Sequence, residues 1–212
     1  FVVNTGRQLV LFDTGVGYTR PFGPHTGMLL ANLRAAGIMP EQIDAVVCSH
    51  GHIDHVWGII GGDGKPNFPN AQVFISKADF DYWTDEARGG TGGWIGTFVQ
   101  GARRNLLPVR DRLTFVEDGK EVLPGIVAVS APGHTVGHTA YAIQSGNARA
   151  MFIGDLAHHD VIMLRRPQIE FAYDTDSKQS AQSRMRLLRL LAQERTGILS
   201  YHFPFPGLGH VA

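Results

Sequence analysis

Three histidines and an aspartate stand within six consecutive residues of this chain. The segment 50–55 has the sequence HGHIDH and directly follows the apolar run 45–48, AVVC. An imidazole or carboxylate that is buried without a partner destabilises the folded protein by a few kcal/mol, and for a neutral polar group the cost is about 2–7 kcal/mol. Core packing alone therefore does not explain the segment. Imidazole nitrogens and carboxylate oxygens are the donors that zinc and its first-row neighbours prefer. The segment therefore predicts metal ligands, and the alternative is a solvated histidine-rich loop.

The cluster contains more donors than one ion needs. His50 and His52 are two residues apart and face the same way in an extended segment, whereas Asp54 and His55 lie past the bend. This spacing predicts two metals, whose remaining ligands must come from distant parts of the chain. Polar residues that follow strand-like apolar runs supply such donors. They are His134 after 126–129, Asp155 after 150–153 and His202 after 197–201. Each alone could be a turn residue, but their recurrence favours ligands at the ends of strands.

The order of these residues resembles the metallo-β-lactamase superfamily nearly from end to end. The pattern includes the triplet Asp13-Thr14-Gly15 near the start, ahead of HxHxDH, His134, Asp155 and His202. The resemblance implies an α+β fold, the metallo-β-lactamase αββα sandwich, in which two β-sheets are flanked by helices. It also implies the ligand sets. One metal takes His50, His52 and His134, the second takes Asp54, His55 and His202, and Asp155 bridges them. Asp13 is then a buried structural acid.

Departures from the family pattern separate its branches. Flavin-linked di-iron oxygen reductases have Glu at the position of His52, and β-lactamases have Cys at the position of Asp155 or lack the bridging carboxylate. Glyoxalase-type thioesterases keep the same ligands but continue into a basic helical region, whereas this chain stops soon after His202. The stretches 154–159 and 202–210 are most similar to methyl parathion hydrolase and to its lactone- or aryl-ester-cleaving relatives.

The function that this resemblance implies is a dinuclear metal-dependent hydrolase that uses a bridging hydroxide to cleave lactones or aryl esters. The two divalent ions are expected to be zinc, although the same donors accept Mn, Fe or Co. Asp155 would hold the ions together, and Asp54 would pass a proton to the leaving group. One alternative is an organophosphate phosphotriester hydrolase of the methyl parathion hydrolase type. A further alternative is a non-hydrolytic redox or metal-binding protein.

Aromatic residues near the ligands are candidates for a substrate pocket. Trp94 and Phe98 lie in the Gly-rich segment 86–101, which is a poor place for core aromatics and a good one for a loop or helix over a substrate. The alternative is that they pack against a second subunit in a homodimer. Tyr173 and Phe205 are further candidates, and His158 follows the bridging acid closely.

Composition narrows the class of protein and its partners. The chain has 212 residues, of which 43% are hydrophobic and 18% charged, and this is the composition of a single metallo-β-lactamase-like domain over 1–212. We expect N-terminal strands and the C-terminal end to be trimmed. Lys+Arg and Asp+Glu both number 19, with no basic run, so nucleic acid is not the expected partner. No apolar run approaches the roughly 20 residues that cross a bilayer. We therefore expect a soluble protein, cytoplasmic or periplasmic, that acts on a small-molecule ester, lactone or phosphotriester.

Local patterns predict the elements that carry these residues. Strands are expected at 2–3, 8–12, 45–48 and 71–75, the first two forming a hairpin. Helices are expected at 28–36, at 76–83 with Ser76 as the cap, and from about Asp176 to Glu194. The last helix has a broad apolar face formed by Met185, Leu187, Leu188, Leu190 and Leu191.

Overall fold

The computed structural model describes all residues from 1 to 212 and divides into two compact units, 1–115 and 116–212. The first unit contains a five-stranded sheet in the order β1-β2-β3-β4-β5. Its strands are β1 (Val2–Asn4), β2 (Leu9–Phe12), β3 (Ala45–Val47), β4 (Gln72–Ser76) and β5 (Leu113–Val116). Strands β1 and β2 are antiparallel, as the predicted hairpin requires, whereas β2, β3 and β4 run parallel. Three carboxyl ends therefore lie at one edge of this sheet.

Five α-helices and three short 3-10 helices, Gly17–Thr19, Pro40–Gln42 and Leu107–Arg112, belong to the first unit. The α-helices are α1 (Leu29–Ala35), α2 (Ile53–Val56), α3 (Lys77–Thr84), α4 (Glu86–Gly89) and α5 (Gly93–Leu106). The Gly-rich segment 86–101, for which the sequence allows a loop or a helix, forms α4 and most of α5. A Cβ on Gly101 would come within 1.9 Å of the Trp57 ring, so glycine is what lets this face of α5 approach the indole. Val46, Ile75 and Trp83 are among the buried residues of the core.

The second unit contains a six-stranded sheet in the order β11-β10-β9-β8-β7-β6. Its strands are β6 (Glu121–Leu123), β7 (Ile126–Ser130), β8 (Thr139–Ser145), β9 (Ala148–Phe152), β10 (Gly197–Leu199) and β11 (Leu208–His210). Neighbours are antiparallel except for β9 and β10, which run parallel. The carboxyl ends of β9 and β10 consequently lie side by side.

Helices α6 (Ile162–Arg165) and α7 (Ser177–Glu194) complete the second unit. The Asp176 side chain accepts a hydrogen bond from Gln179 N and caps α7, in agreement with the predicted start of this helix. The buried apolar stripe of α7 is narrower than predicted. Leu187, Leu188 and Leu191 are buried, but Met185 and Leu190 are each 38% exposed, because an 18-residue helix with one packed side turns these positions toward solvent.

The remaining predicted elements are also present. Strand β3 leads into the HGHIDH segment, β4 covers most of 71–75, and α1 and α3 lie within a residue of their predicted bounds. None of the helices combines the length and the apolar composition needed to cross a bilayer.

Candidate metal centre

The HGHIDH segment lies at the edge where β2, β3 and β4 end. The last paired residues of these strands are Phe12, Val47 and Phe74, so the residues that follow them emerge close together. Such edges are where sheets with parallel strands place ligand-binding loops. Asp13 follows β2, His50 follows β3 after two residues, and helix α3 follows β4. His52 is the N-cap residue of α2, which carries Asp54 and His55 in its single turn.

Three imidazoles of this segment are buried against one another. The ring centroid of His50 lies 4.6 Å from that of His52 and 4.0 Å from that of His55. Asp54 is partly exposed, and its Oδ2 lies 3.5 Å from Nε2 of His55. The segment therefore groups three buried imidazole rings with one partly exposed carboxylate, which is the donor chemistry predicted from the sequence.

Asp13 braces these rings from behind. Its Oδ2 accepts hydrogen bonds from Nδ1 of His55 and from the Ser49 hydroxyl, both at 2.7 Å, and its Oδ1 accepts the Ser49 N–H at 2.7 Å. The Ser49 hydroxyl in turn accepts from Nδ1 of His50 at 2.9 Å. Asp13 has a left-handed backbone, φ +56°, which costs a non-glycine residue about 1–3 kcal/mol. The arrangement fixes the Nδ1 side of two rings, as outer-shell partners of metal-bound histidines do.

A second set of donors converges on Asp155 in the second unit. Asp155 follows β9 and His202 follows the parallel strand β10, so the two side chains meet, with His202 Nε2 3.1 Å from Asp155 Oδ2. His134 Nε2 lies 3.3 Å and His158 Nε2 3.0 Å from the same oxygen. Ligand atoms of His134, Asp155 and His158 all lie within 4.8 Å of one another. His158 is therefore a fourth donor that the predicted ligand set did not include.

His134 and Asp155 each have a buried partner. Asp174 Oδ1 accepts from Nδ1 of His134 at 2.9 Å. His138 donates from Nδ1 to the Ala131 carbonyl at 3.1 Å, and its Nε2 accepts the N–H of Asp155 at 3.0 Å. His138 therefore holds the backbone of the acid and is not itself directed at a ligand position.

Arg184 of α7 supports the loop that carries Asp174. Its buried guanidinium donates to the carbonyls of Leu156, Pro167 and Ile169 at 2.6, 2.8 and 2.7 Å. Nη2 of Arg184 also lies 3.9 Å from Oδ2 of Asp174. The order Arg184, Asp174, His134 is thus a chain of contacts from helix α7 to a candidate ligand.

Burial and neighbouring charges shift three pKa values at these sites. Burial lowers the pKa of His134, but the nearby carboxylates of Asp155 and Asp174, through hydrogen bonding and charge together, outweigh burial and raise it overall. Burial dominates at His158, whose pKa is lowered despite its contact with Asp155. Burial, reinforced by Asp13, raises the pKa of the Cys48 thiol well above its ordinary value. Cys48 is accordingly a core residue and is held as a neutral thiol.

The predicted pocket residues fall in different surroundings. Trp94 and Phe98 lie one turn apart on α5, half-buried, with ring centroids 6.2 and 5.3 Å from that of His52. His158 stacks on Phe171 at 4.0 Å, and Tyr173 lies 5.7 Å from Phe171. Phe205, by contrast, is 99% exposed. The rings of Trp94 and Phe98 thus lie beside the candidate ligand His52, and His158 contacts Asp155. The Phe171 ring separates Tyr173 from His158. The role of Phe205 stays a prediction.

The residues present fit divalent metal ions. Imidazole nitrogens and carboxylate oxygens are grouped in both units, and the Nδ1 atoms of His50, His55 and His134 are each held by a hydroxyl or carboxylate. This combination is what zinc sites require.

Three buried side chains that position the donors were not predicted from the sequence: Asp79, Asp174 and Arg184. Only Asp79 had a local signal, three residues after the predicted cap Ser76.

The chain belongs to the metallo-β-lactamase superfamily, whose family model matches residues 1–197. Among solved structures, it is similar to the hydrolase AbOPH of the β-lactamase superfamily, with 32% identity, a TM-score of 0.89 and coverage of 99% of this chain and 73% of that one. It is also similar to AidC, a dizinc quorum-quenching lactonase, with 32% identity, a TM-score of 0.86 and the same coverage. The predicted fold class, an α+β metallo-β-lactamase fold with two β-sheets flanked by helices, is confirmed, and both sheets are mixed.

Curated relatives match over a smaller share of their own length. A probable metallo-hydrolase of Mycobacterium tuberculosis is 26% identical over an alignment that covers 88% of this chain and 65% of that protein. The N-acyl homoserine lactonase AttM of Azorhizobium caulinodans is 32% identical over 54% of this chain and 41% of its own length. This chain therefore spans about 65% of the length of the mycobacterial relative it matches.

Proposed function

We propose that this protein is a metal-dependent hydrolase that opens lactones or cleaves aryl esters. The observation that carries the proposal is the bracing of the histidines. His50, His55 and His134 are held through Nδ1 by Ser49, Asp13 and Asp174, so that in each ring Nε2 is the nitrogen turned away from the brace. A histidine that only packs in a core has no need of a buried acid behind it, whereas a metal ligand does.

The ligand assignment is that implied by the family pattern. His50, His52 and His134 would hold one ion, Asp54, His55 and His202 would hold the other, and Asp155 would be shared. Bound divalent ions of this kind supply an acidified water and a Lewis acid for the carbonyl oxygen. Zinc is the ion we propose, since the donor set matches its preferences and a similar solved structure is described as a dizinc lactonase.

The chain's own residues supply the rest of the chemistry. Asp54 is the partly exposed carboxylate of the HGHIDH segment, and we assign to it, besides metal binding, the transfer of a proton to the leaving oxygen. Trp94 and Phe98 place aromatic surface beside His52, which suits the apolar part of a substrate and excludes water from that side. The neutral state that burial favours at His158 leaves this ring as a hydrogen-bonding partner of Asp155 and not as a fixed positive charge.

Lactones are the substrates best supported by the relatives. AidC and AttM are both described as lactonases, and AidC was solved with the product N-hexanoyl-L-homoserine. An acyl homoserine lactone has the small polar ring and apolar chain that such a site would accommodate. Hydrolysis of phosphotriesters stays a prediction, which rests on the sequence of residues 202–210. It is chemically compatible with the same site, because the same nucleophile can attack carbon or phosphorus.

The test is a substrate panel on zinc-loaded protein. N-hexanoyl homoserine lactone, an aryl acetate and a dialkyl aryl phosphotriester are each assayed against the native chain and Asp155→Ala. We expect lactone or aryl ester turnover to be the fastest of the three and to be lost in the variant. If the phosphotriester were hydrolysed fastest, the proposed substrate class would change from lactones and aryl esters to phosphotriesters. Absence of all three activities alongside hydrolysis of a thioester or a β-lactam would refute the proposal.

A further inference from the structure

Asp79 is a fully buried carboxylate that is not among the proposed metal ligands. It lies in the first turn of α3, and its Oδ2 accepts the N–H of Gly51 at 2.6 Å. Burying a carboxylate is costly unless hydrogen bonds to it compensate. Gly51 lies between His50 and His52. The buried carboxylate therefore accepts a hydrogen bond from the backbone of the HGHIDH segment.

The topology brings Asp79 to this place. Strands β3 and β4 are parallel, so the segment after β3 and the helix after β4 leave the sheet at the same edge. Ser76 ends β4 and caps α3 by accepting the N–H of Asp79 at 3.1 Å. The cap fixes where the first turn of α3 begins, and hence where the Asp79 carboxylate is directed.

A second side chain of the same helix contacts the same glycine. Trp83 lies one turn after Asp79 and is fully buried. A Cβ on Gly51 would lie 2.5 Å from Cδ1 of Trp83, so no larger residue fits between the two histidines. The Trp83 ring centroid is also 4.7 Å from that of His52. Helix α3 therefore holds the segment by a hydrogen bond and by packing.

We propose that Asp79 is a positioning residue that fixes the Gly51 amide and thereby sets the direction of His50 and His52. It works from the α3 side of the segment, as Asp13 does from the β2 side through Ser49 and His55. The carboxylate charge also favours the imidazoles binding a cation. This inference rests on the proposed metal-dependent function, because positioning has a consequence only when these histidines bind an ion.

The test compares three variants as zinc-loaded proteins. Asp79→Ala removes the acceptor, Asp79→Asn keeps a neutral acceptor, and Asp81→Ala is the matched control. Asp81 lies on the same helix, is exposed, and pairs only with the exposed Lys77 in an ion pair of little energetic value. Zinc affinity is measured by competition with a chromogenic chelator. The Gly51 amide is followed in spectra of protein labelled with 15N-glycine, since a short hydrogen bond to a carboxylate shifts this proton downfield.

We expect zinc affinity to fall about 10–100-fold in Asp79→Ala, the range for loss of an outer-shell partner, with a smaller fall in Asp79→Asn and none in Asp81→Ala. The Gly51 resonance should lose its downfield shift in the alanine variant and keep part of it in the asparagine variant. If the alanine variant does not fold, Asp79→Asn decides alone, and an unchanged Gly51 resonance and zinc affinity would overturn the inference. Equal zinc affinities in Asp79→Ala and Asp81→Ala would also overturn it. Failure of the native chain to bind zinc would instead refute the proposed function, and the Gly51 resonance would still report on the contact.

Discussion

Arg184→Met should destabilise the protein far more than an ordinary surface change. The guanidinium is completely buried and donates to three backbone carbonyls, those of Leu156, Pro167 and Ile169. It also lies 3.9 Å from the buried carboxylate of Asp174. Removing one partner of a buried charge pair costs about 3–5 kcal/mol. At roughly 2–4 °C per kcal/mol for a chain of this size, the melting temperature should fall by roughly 6–20 °C.

Urea unfolding of the zinc-loaded protein, followed by far-UV circular dichroism, measures this free energy. Arg189→Met on the exposed side of the same helix is the control, and we expect it to change stability by less than about 0.5 kcal/mol. Asp174→Asn in the Arg184→Met background should recover part of the loss, because it removes the uncompensated carboxylate. A loss below about 1 kcal/mol for Arg184→Met would contradict this prediction, since it would mean that the carbonyls and the Asp174 carboxylate find other partners when the guanidinium is removed.

Three further substitutions and one labelling experiment give additional tests. Trp94→Ala should raise KM for aryl esters roughly 2- to 10-fold in steady-state assays, with little effect on aliphatic lactones, because it removes an aromatic contact worth about 0.5–1.5 kcal/mol. Equal effects on both substrates would show that Trp94 does not contact the aromatic group of the substrate. Asp155→Ala should abolish most turnover and lower the bound metal found by elemental analysis, and near-normal values of both would contradict a bridging role. Asp13→Ala should weaken zinc binding about 10–100-fold in chelator competition, because His55 loses the acceptor of its Nδ1 proton. The Cys48 thiol should react with a disulfide reagent at pH 8 only after unfolding, since burial raises its pKa, and rapid labelling of the native protein would contradict its placement.

Much of the first unit could be predicted because its signals are local. The apolar run before His50, the hairpin turn after β1 and the Ser76 cap each depend on residues close in sequence, and each element is present. His134, Asp155 and His202 could be proposed as donors for a similar reason, since each follows a strand-like run. What the sequence could show was therefore the type of each element and the residues at its end.

The residues that sequence reasoning missed are those that act over long separations. Arg184 lies on a helix whose pattern suggested a broad apolar face, and nothing nearby in sequence reveals that a charged side chain is buried under the loop carrying Asp174. The contact between Asp79 and Gly51 spans 28 residues and depends on β3 and β4 being adjacent and parallel. Hydrophobic periodicity indicates which residues face inward, but a buried charge is explained only by its partners.

If the protein is a metal-dependent lactonase, bound divalent ions are required for lactone cleavage. The most direct test adds zinc stepwise to chelator-stripped protein and follows the hydrolysis of N-hexanoyl homoserine lactone with a pH indicator. We expect no turnover without metal and a rate that rises until two zinc ions are bound per chain. A rate that saturates at one ion, or turnover that does not depend on metal, would contradict it.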